Sequence, residues 1–139
     1  MRRRHFFLRS MVLLFPFSMA AAPAGGQTVA ETLTGLDTRG SEYGEVARRI
    51  WEWAEVGYQE TRSSALLEDR LREAGFTVEA GVAGIPTAFV ATWGNGGPVI
   101  GILGEFDALP GLSQDAVPTA KPLLVGGSGH ACGHHLLGT

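Results

Sequence analysis

From residue 43 onward, apolar positions recur at helical spacing. Val46, Ile50, Trp53, Ala54 and Gly57 share one side, while Glu45, Arg48, Arg49, Glu52 and Glu55 fill the other. Trp51 and Tyr58 widen the apolar stripe. The pattern predicts an amphipathic helix. A second helix is predicted over about residues 63–74, with Leu67, Leu71 and Ala74 on one face and a Glu68/Arg72 pair at i,i+4 on the other. Gly75 stands where a helix commonly ends in the left-handed conformation. Both sets of charges read as solvated helix faces.

The period then changes from helical to alternating. Phe76 to Ala80 alternates strictly and suits a half-buried strand, and Thr87 to Trp93 is rich in β-branched and aromatic residues, so a second strand is predicted there. Gly94-Asn95-Gly96-Gly97 offers positive-φ positions for a tight turn. Val99-Ile100-Gly101-Ile102-Leu103 is continuously apolar, which predicts a central strand buried on both faces. The fold class is therefore α/β, a mixed central sheet flanked by helices.

Two stretches lack such periodicity. Residues 25–40 are small and polar and read as a flexible lead-in. Leu109 to Gly129, punctuated by Pro110, Pro118 and Pro122, reads as a long loop, and loops of that length in a compact domain are usually functional.

The first 24 residues differ from the rest. An Arg-rich start leads into an apolar run from Met11 to Ala22, and Ala22-Pro23-Ala24 matches a small-x-small cleavage site, so a signal peptide is expected over residues 1–24. The run contains Pro16 and falls short of the ~20 residues that cross a bilayer. Arg3-Arg4-His5-Phe6-Phe7 has the form of a twin-arginine export signal, with ordinary secretion as the alternative route. A bacterial periplasmic or extracellular product, free of the membrane after cleavage, is expected by either route. Residues 25–139 remain to form one domain, which is enough to bury a modest core.

Charge narrows the partners. Four of the 11 basic residues, Arg2, Arg3, Arg4 and Arg9, lie in the leader, whereas all 14 acids lie at Glu31 or later. The acidic excess beyond the leader argues against nucleic acid as a partner. Cys132 is the only cysteine, so no intrachain disulfide forms, and a lone thiol in an exported protein calls for another use.

That use is suggested by the thiol's neighbours. Gly129-His130-Ala131-Cys132-Gly133-His134-His135 places three imidazoles and the thiol within six positions, and zinc takes both thiolate and neutral imidazole. The flanking glycines let the backbone bend so that Cys132 and His134 face one metal ion. Adjacent His134 and His135 reach a single ion only with difficulty. Glu105 and Asp107, two residues apart at the end of the predicted central strand, point the same way and add candidate carboxylates. Rival readings are a Cys132 thiolate nucleophile with His130 or His134 as base, a structural histidine cluster, and solvated acids at a strand tip.

Four segments together resemble one family. They are Ile50 to Glu60, Gly84 to Phe89, Gly104 to Gln114 and Gly129 to Gly138, and they run in order across about residues 43–139. The resemblance is to the amidohydrolase branch of the aminoacylase and carboxypeptidase metallopeptidases, nearest to the aminobenzoyl-glutamate hydrolase type. It implies the N-terminal part of a zinc-exopeptidase-like catalytic domain. It also implies a hydrolase with two divalent ions (zinc, manganese or cobalt) that cleaves the amide of N-acyl amino acids, aminobenzoyl-glutamate-like compounds or small peptides.

By that resemblance Cys132 and His134 are metal ligands, Asp107 orients a ligand, and Glu105 stands where other branches carry a ligating His. His135 departs from the Asp or Asn usual at its position. The catalytic Glu, the remaining ligands and the dimerisation domain of such enzymes lie beyond the Cys-Gly-His motif, so the general base is expected after Thr139 and no catalytic residue within this chain. A homodimer or hetero-oligomer is implied for the full-length enzyme, and this chain alone is expected to be inactive. A reading from another class is a non-catalytic metal-binding or interaction module that works at this length.

Overall fold

The computed structural model of the protein describes residues 27–139, so the leader expected over residues 1–24 lies outside the described residues. Helix α1 spans Val29–Trp53. It starts well before the predicted helix, and the lead-in expected over residues 25–40 is mostly its first half. A capping box explains the difference. Glu31 N donates to Thr28 Oγ1 at 3.3 Å, and Thr28 N donates to Glu31 Oε2 at 2.8 Å, so two otherwise unpaired donors are satisfied where the turn begins. Val29, Leu33 and Leu36 in this half remain exposed. Ala54 ends the helix in the left-handed conformation (φ 44°), with its N–H bonded to Ile50 O at 3.0 Å.

Helix α2 spans Thr61–Glu73, and Gly75 follows at φ 87°. The cap residue Glu60 makes no side-chain hydrogen bond to the helix start. Glu55 does that work from a distance. Its carboxylate accepts from Ser63 N and Ser63 Oγ at 2.8 Å each and from Arg62 N at 3.1 Å, satisfying free N–H groups at the positive end of the helix. Burial disfavours the charged form of Glu55, yet these hydrogen bonds and the Arg62 guanidinium outweigh it and hold the carboxyl below its ordinary value.

The expected solvated faces are only partly solvated. Arg48 sits in the open between Glu45 and Glu52. Glu68, by contrast, is buried, bonded to Ser64 Oγ at 3.0 Å and to Arg72 Nη2 at 2.6 Å. Proximity of the hairpin explains this, since Ser64 Oγ also donates to Thr87 O at 2.8 Å.

Strands β1 (Thr77–Ala80) and β2 (Phe89–Thr92) pair antiparallel with Thr77 opposite Thr92 and Ala80 opposite Phe89. The two predicted strands are thus present, in a two-stranded sheet packed against α2. The core is small: Val46, Ile50 and Leu67 form its buried centre, with Leu66, Phe89 and Phe106 against it. Among the described residues no helix is long and apolar enough to cross a membrane.

The predicted central strand is a correction. Residues 99–103 belong to no strand, and Val99, Ile100, Ile102 and Leu103 are 83 to 94% exposed. A strand is defined by hydrogen bonds to a neighbour, and no described segment runs beside this one. The observed architecture is a small α/β arrangement. The larger mixed sheet is not among the described elements.

Candidate functional site

The acids and the histidine-rich motif lie 23 to 30 residues apart in sequence, and backbone pairing joins them. Ala108 N donates to Glu55 O at 2.8 Å, which ties the acid-bearing segment to the end of α1. Leu109 and Gly129 exchange both backbone hydrogen bonds at 2.9 and 3.0 Å, closing the long loop at its base. Inside it, Ser113 N bonds Gly127 O at 2.9 Å, and Asp115 holds Lys121 Nζ at 2.7 Å. The loop predicted over residues 109–129 is therefore ordered by its own contacts.

Glycine is required at the closure. A Cβ on Gly129 would lie 2.1 Å from Leu112 O, and one on Gly138 would lie 2.8 Å from Phe106 Cβ. Gly129 lets the motif pack against the start of the long loop, and Gly138 lets it approach the acid-bearing segment, each more closely than a side chain permits.

Two contacts anchor the motif to the end of α1. Ser128 Oγ donates to Ala54 O, and His130 Nε2 donates to Ile50 O at 3.1 Å. Ala54 O lies at the helix C-cap, where carbonyls lack a partner within the helix, and Ile50 O accepts from His130 in addition to Ala54 N. Burial pushes the His130 imidazole below the ordinary histidine range, while its bond to Ile50 O acts in the other direction. Burial likewise lowers His135. The two rings lie 5.0 Å apart, and the Nδ1 atoms of both are buried without a hydrogen-bond partner. His130 is thus tethered to α1, and the His135 ring lies against it.

His134 opens a short helical turn, α3 (His134–Leu137), and its ring points at the acids. Asp107 Oδ1 lies 2.7 Å from His134 Nδ1, and Asp107 O lies 3.2 Å from the same nitrogen. Both partners are acceptors, so Nδ1 carries a proton and donates it. Glu105 Oε2 lies 3.2 Å from Nε2 on the far side of the ring. The fold therefore brings Asp107, Glu105 and His134 together. Cys132 is exposed, and among the described residues no group of three or more His, Cys, Asp or Glu side chains converges closely enough to hold a metal ion.

Sequence reasoning misses Glu55 and Ser128, which hold the two halves of the site in register. The helical period puts Glu55 on a solvated face, although an acid six to eight residues before a Thr-x-Ser helix start is a legible capping signal. Nothing local to Ser128 shows that its partner is Ala54, 74 positions away.

No family model matches the chain. Curated relatives do. The chain is 50% identical over 99 residues to a subunit of p-aminobenzoyl-glutamate hydrolase from Escherichia coli, covering 70% of this chain and 20% of that protein. It is 35% identical over 92 residues to thermostable carboxypeptidase 1 of Saccharolobus solfataricus, covering 65% of this chain and 23% of that one. It is 33% identical over 90 residues to IAA-amino acid hydrolase ILR1-like 5 of Arabidopsis thaliana, covering 64% and 20%. The chain spans about a fifth of the length of the curated relatives it matches. Over the residues these matches share, it belongs to the family of amidohydrolases and carboxypeptidases that these relatives represent.

Proposed function

We propose that this chain carries part of the metal site of an exported amidohydrolase that cleaves the amide bond of N-acyl amino acids, aminobenzoyl-glutamate-like compounds or small peptides. One observation carries the reading: His134 is fixed through Nδ1 by Asp107 at 2.7 Å, which turns its other nitrogen away from that contact and toward Glu105 Oε2 at 3.2 Å. Metal-ligating histidines are ordinarily held this way, with the far N–H on a carboxylate. The donors present suit a divalent ion such as zinc, manganese or cobalt. Imidazole from His134 and thiolate from Cys132 are its ligands, and Asp107 orients the imidazole.

When bound, such an ion supplies Lewis acidity toward the amide carbonyl and acidifies water for attack. The chain's own residues position the site: Glu55 and Ser128 tie both loops to α1, and His130 supports the motif from below. The general base and the second ion's ligands come from residues outside these 139, within a larger mixed sheet of the exopeptidase type. Residues 1–24 direct export to the periplasm or beyond. The assembly is a homodimer or pairs with a second kind of subunit, as the word "subunit" in the name of the Escherichia coli relative suggests.

A transplant tests the reading. The matching residues of this chain are exchanged into the Escherichia coli relative, and hydrolysis of p-aminobenzoyl-glutamate and bound metal are measured. The chimera is expected to retain both, and Cys132→Ser or His134→Ala within it to remove both. A folded chimera that keeps metal and activity without Cys132 and His134 would refute the assignment. Cys132→Ser that abolishes activity at full metal content would instead make the thiol a nucleophile.

A further inference from the structure

The turn between α1 and α2 carries a strained residue that has no role in that reading. Gln59 N donates to Val56 O at 2.9 Å, which closes a β-turn over Gly57 and Tyr58. Tyr58 takes the third position of the turn with φ 65°, in the left-handed region where glycine or asparagine is usual. An aromatic residue is poorly suited there, because its Cβ crowds the neighbouring carbonyl. The other non-glycine residues with positive φ among the described residues, Ala54 and Ala83, are both small. Packing does not offset the strain. Tyr58 is 72% exposed, and among the described residues its ring stacks on no other aromatic group. A lone exposed aromatic is ordinary, but one held in a costly backbone conformation without packing to stabilise it points to a use outside the fold.

The turn also lies against the site. Val56 forms a parallel bridge with Ala108, and a Cβ on Gly57 would stand 3.7 Å from Asp107 Oδ2. Tyr58 is the next residue, so the exposed ring and the carboxylate that holds His134 belong to adjoining pieces of chain.

We infer that Tyr58 is a substrate-binding residue, whose ring receives an aromatic acyl group of the amide beside the His134 site. The inference rests on the amidohydrolase reading above and narrows its substrate class to N-acyl amino acids in which the acyl group is a ring. A phenol ring meets another flat ring by offset or edge-to-face contact, and it carries no charge with which to hold the carboxylate end of such a substrate. The hydrogen-bonded turn fixes the backbone that bears the ring, so little freedom is lost when a substrate arrives.

Tyr58→Asn and Tyr58→Phe test this, in the chimera described above for kinetics and in the full chain for urea unfolding. Asparagine tolerates the left-handed backbone and removes the ring. In Tyr58→Asn the KM for p-aminobenzoyl-glutamate is expected to rise about three- to tenfold with kcat nearly unchanged, as loss of one aromatic contact made equally in ground and transition states should do. Inhibition by the two products separates the ends of the substrate: the inhibition constant of p-aminobenzoate should rise by a similar factor, and that of glutamate should stay the same. Tyr58→Phe keeps the ring and is expected to rescue the loss. The urea midpoint of Tyr58→Asn should equal or exceed that of the unchanged chain. An active chimera whose KM is indifferent to Tyr58→Asn, or in which both products bind more weakly to the same degree, would overturn the inference and leave the amidohydrolase reading standing. Tyr58→Phe as impaired as Tyr58→Asn would assign the effect to the hydroxyl and sink the ring contact. A lower urea midpoint in Tyr58→Asn would do the same, by showing that the ring is held in the fold. A chimera without activity even with Tyr58 in place would overturn the amidohydrolase reading and this inference with it.

Discussion

Two sets of aliphatic side chains meet opposite fates. Val46, Ala47 and Ile50 of α1 are 5% exposed or less, beneath α2 and the β hairpin. Val99, Ile100, Ile102 and Leu103 are 83 to 94% exposed. The exposed run is the more continuously apolar of the two. What differs is the partner. A helix satisfies its backbone within itself and needs only a surface to cover its stripe, which α2 provides. An extended segment needs neighbouring strands for its backbone as well as cover for its side chains. The apolar run thus encodes a demand for burial that the described elements do not meet, and such a surface favours association.

The largest effect should come from breaking the packed region. Ile50→Ala removes a fully buried side chain and is expected to cost about 2–5 kcal/mol in urea unfolding. Ile102→Ser should change stability by no more than about 0.5 kcal/mol, as exposed sites do. The same substitution should raise the concentration at which the chain stays monomeric in sedimentation. A destabilisation by Ile102→Ser comparable to that of Ile50→Ala would show that residues 99–103 are packed after all.

Next comes the buried polar contact behind the packed region. Thr87 Oγ1 donates to Glu60 Oε2 at 2.7 Å, and both residues are buried. Thr87→Val keeps the shape and leaves that carboxylate oxygen without its donor, at an expected cost of about 1–3 kcal/mol in the same urea assay.

Asp107→Ala acts on the segment that joins the two regions. It should lower zinc affinity about 10–100-fold by freeing the His134 ring, with little change in unfolding of the metal-free chain. Equal losses of affinity and stability would mean that Asp107 chiefly supports the fold.

The smallest effect concerns pH. Glu55 has a folded-state pKa below its unfolded value of about 4.3, so its stabilisation is complete above that pH and is lost as pH falls through the lower folded value. Glu55→Gln should therefore flatten the acid limb of stability against pH, with little change in slope near neutrality. An unchanged acid limb would assign the loss to other carboxylates.

Much of this molecule is legible along the chain, because local chemistry sets it. The period of Val46, Ile50 and Trp53 specifies a helix, the alternation at residues 76–80 and the β-branched run after Thr87 specify the hairpin strands, and the glycine-flanked cluster at His130 to His135 marks the candidate site. The capping box at Thr28 and Glu31 is equally local, but residues 25–40 lack the apolar period that would point to a helix behind it.

The tertiary structure alone decided the relations across distance. It joined Asp107 to His134, 27 positions apart, and Ser128 to Ala54, 74 positions apart. It buried Glu68 instead of exposing it, and it left Val99 to Leu103 without partners among the described residues. The physical reason is the same in each case. Periodicity reports which face of an element avoids water, but hydrogen-bond partners and burial depend on what another part of the chain brings to that face.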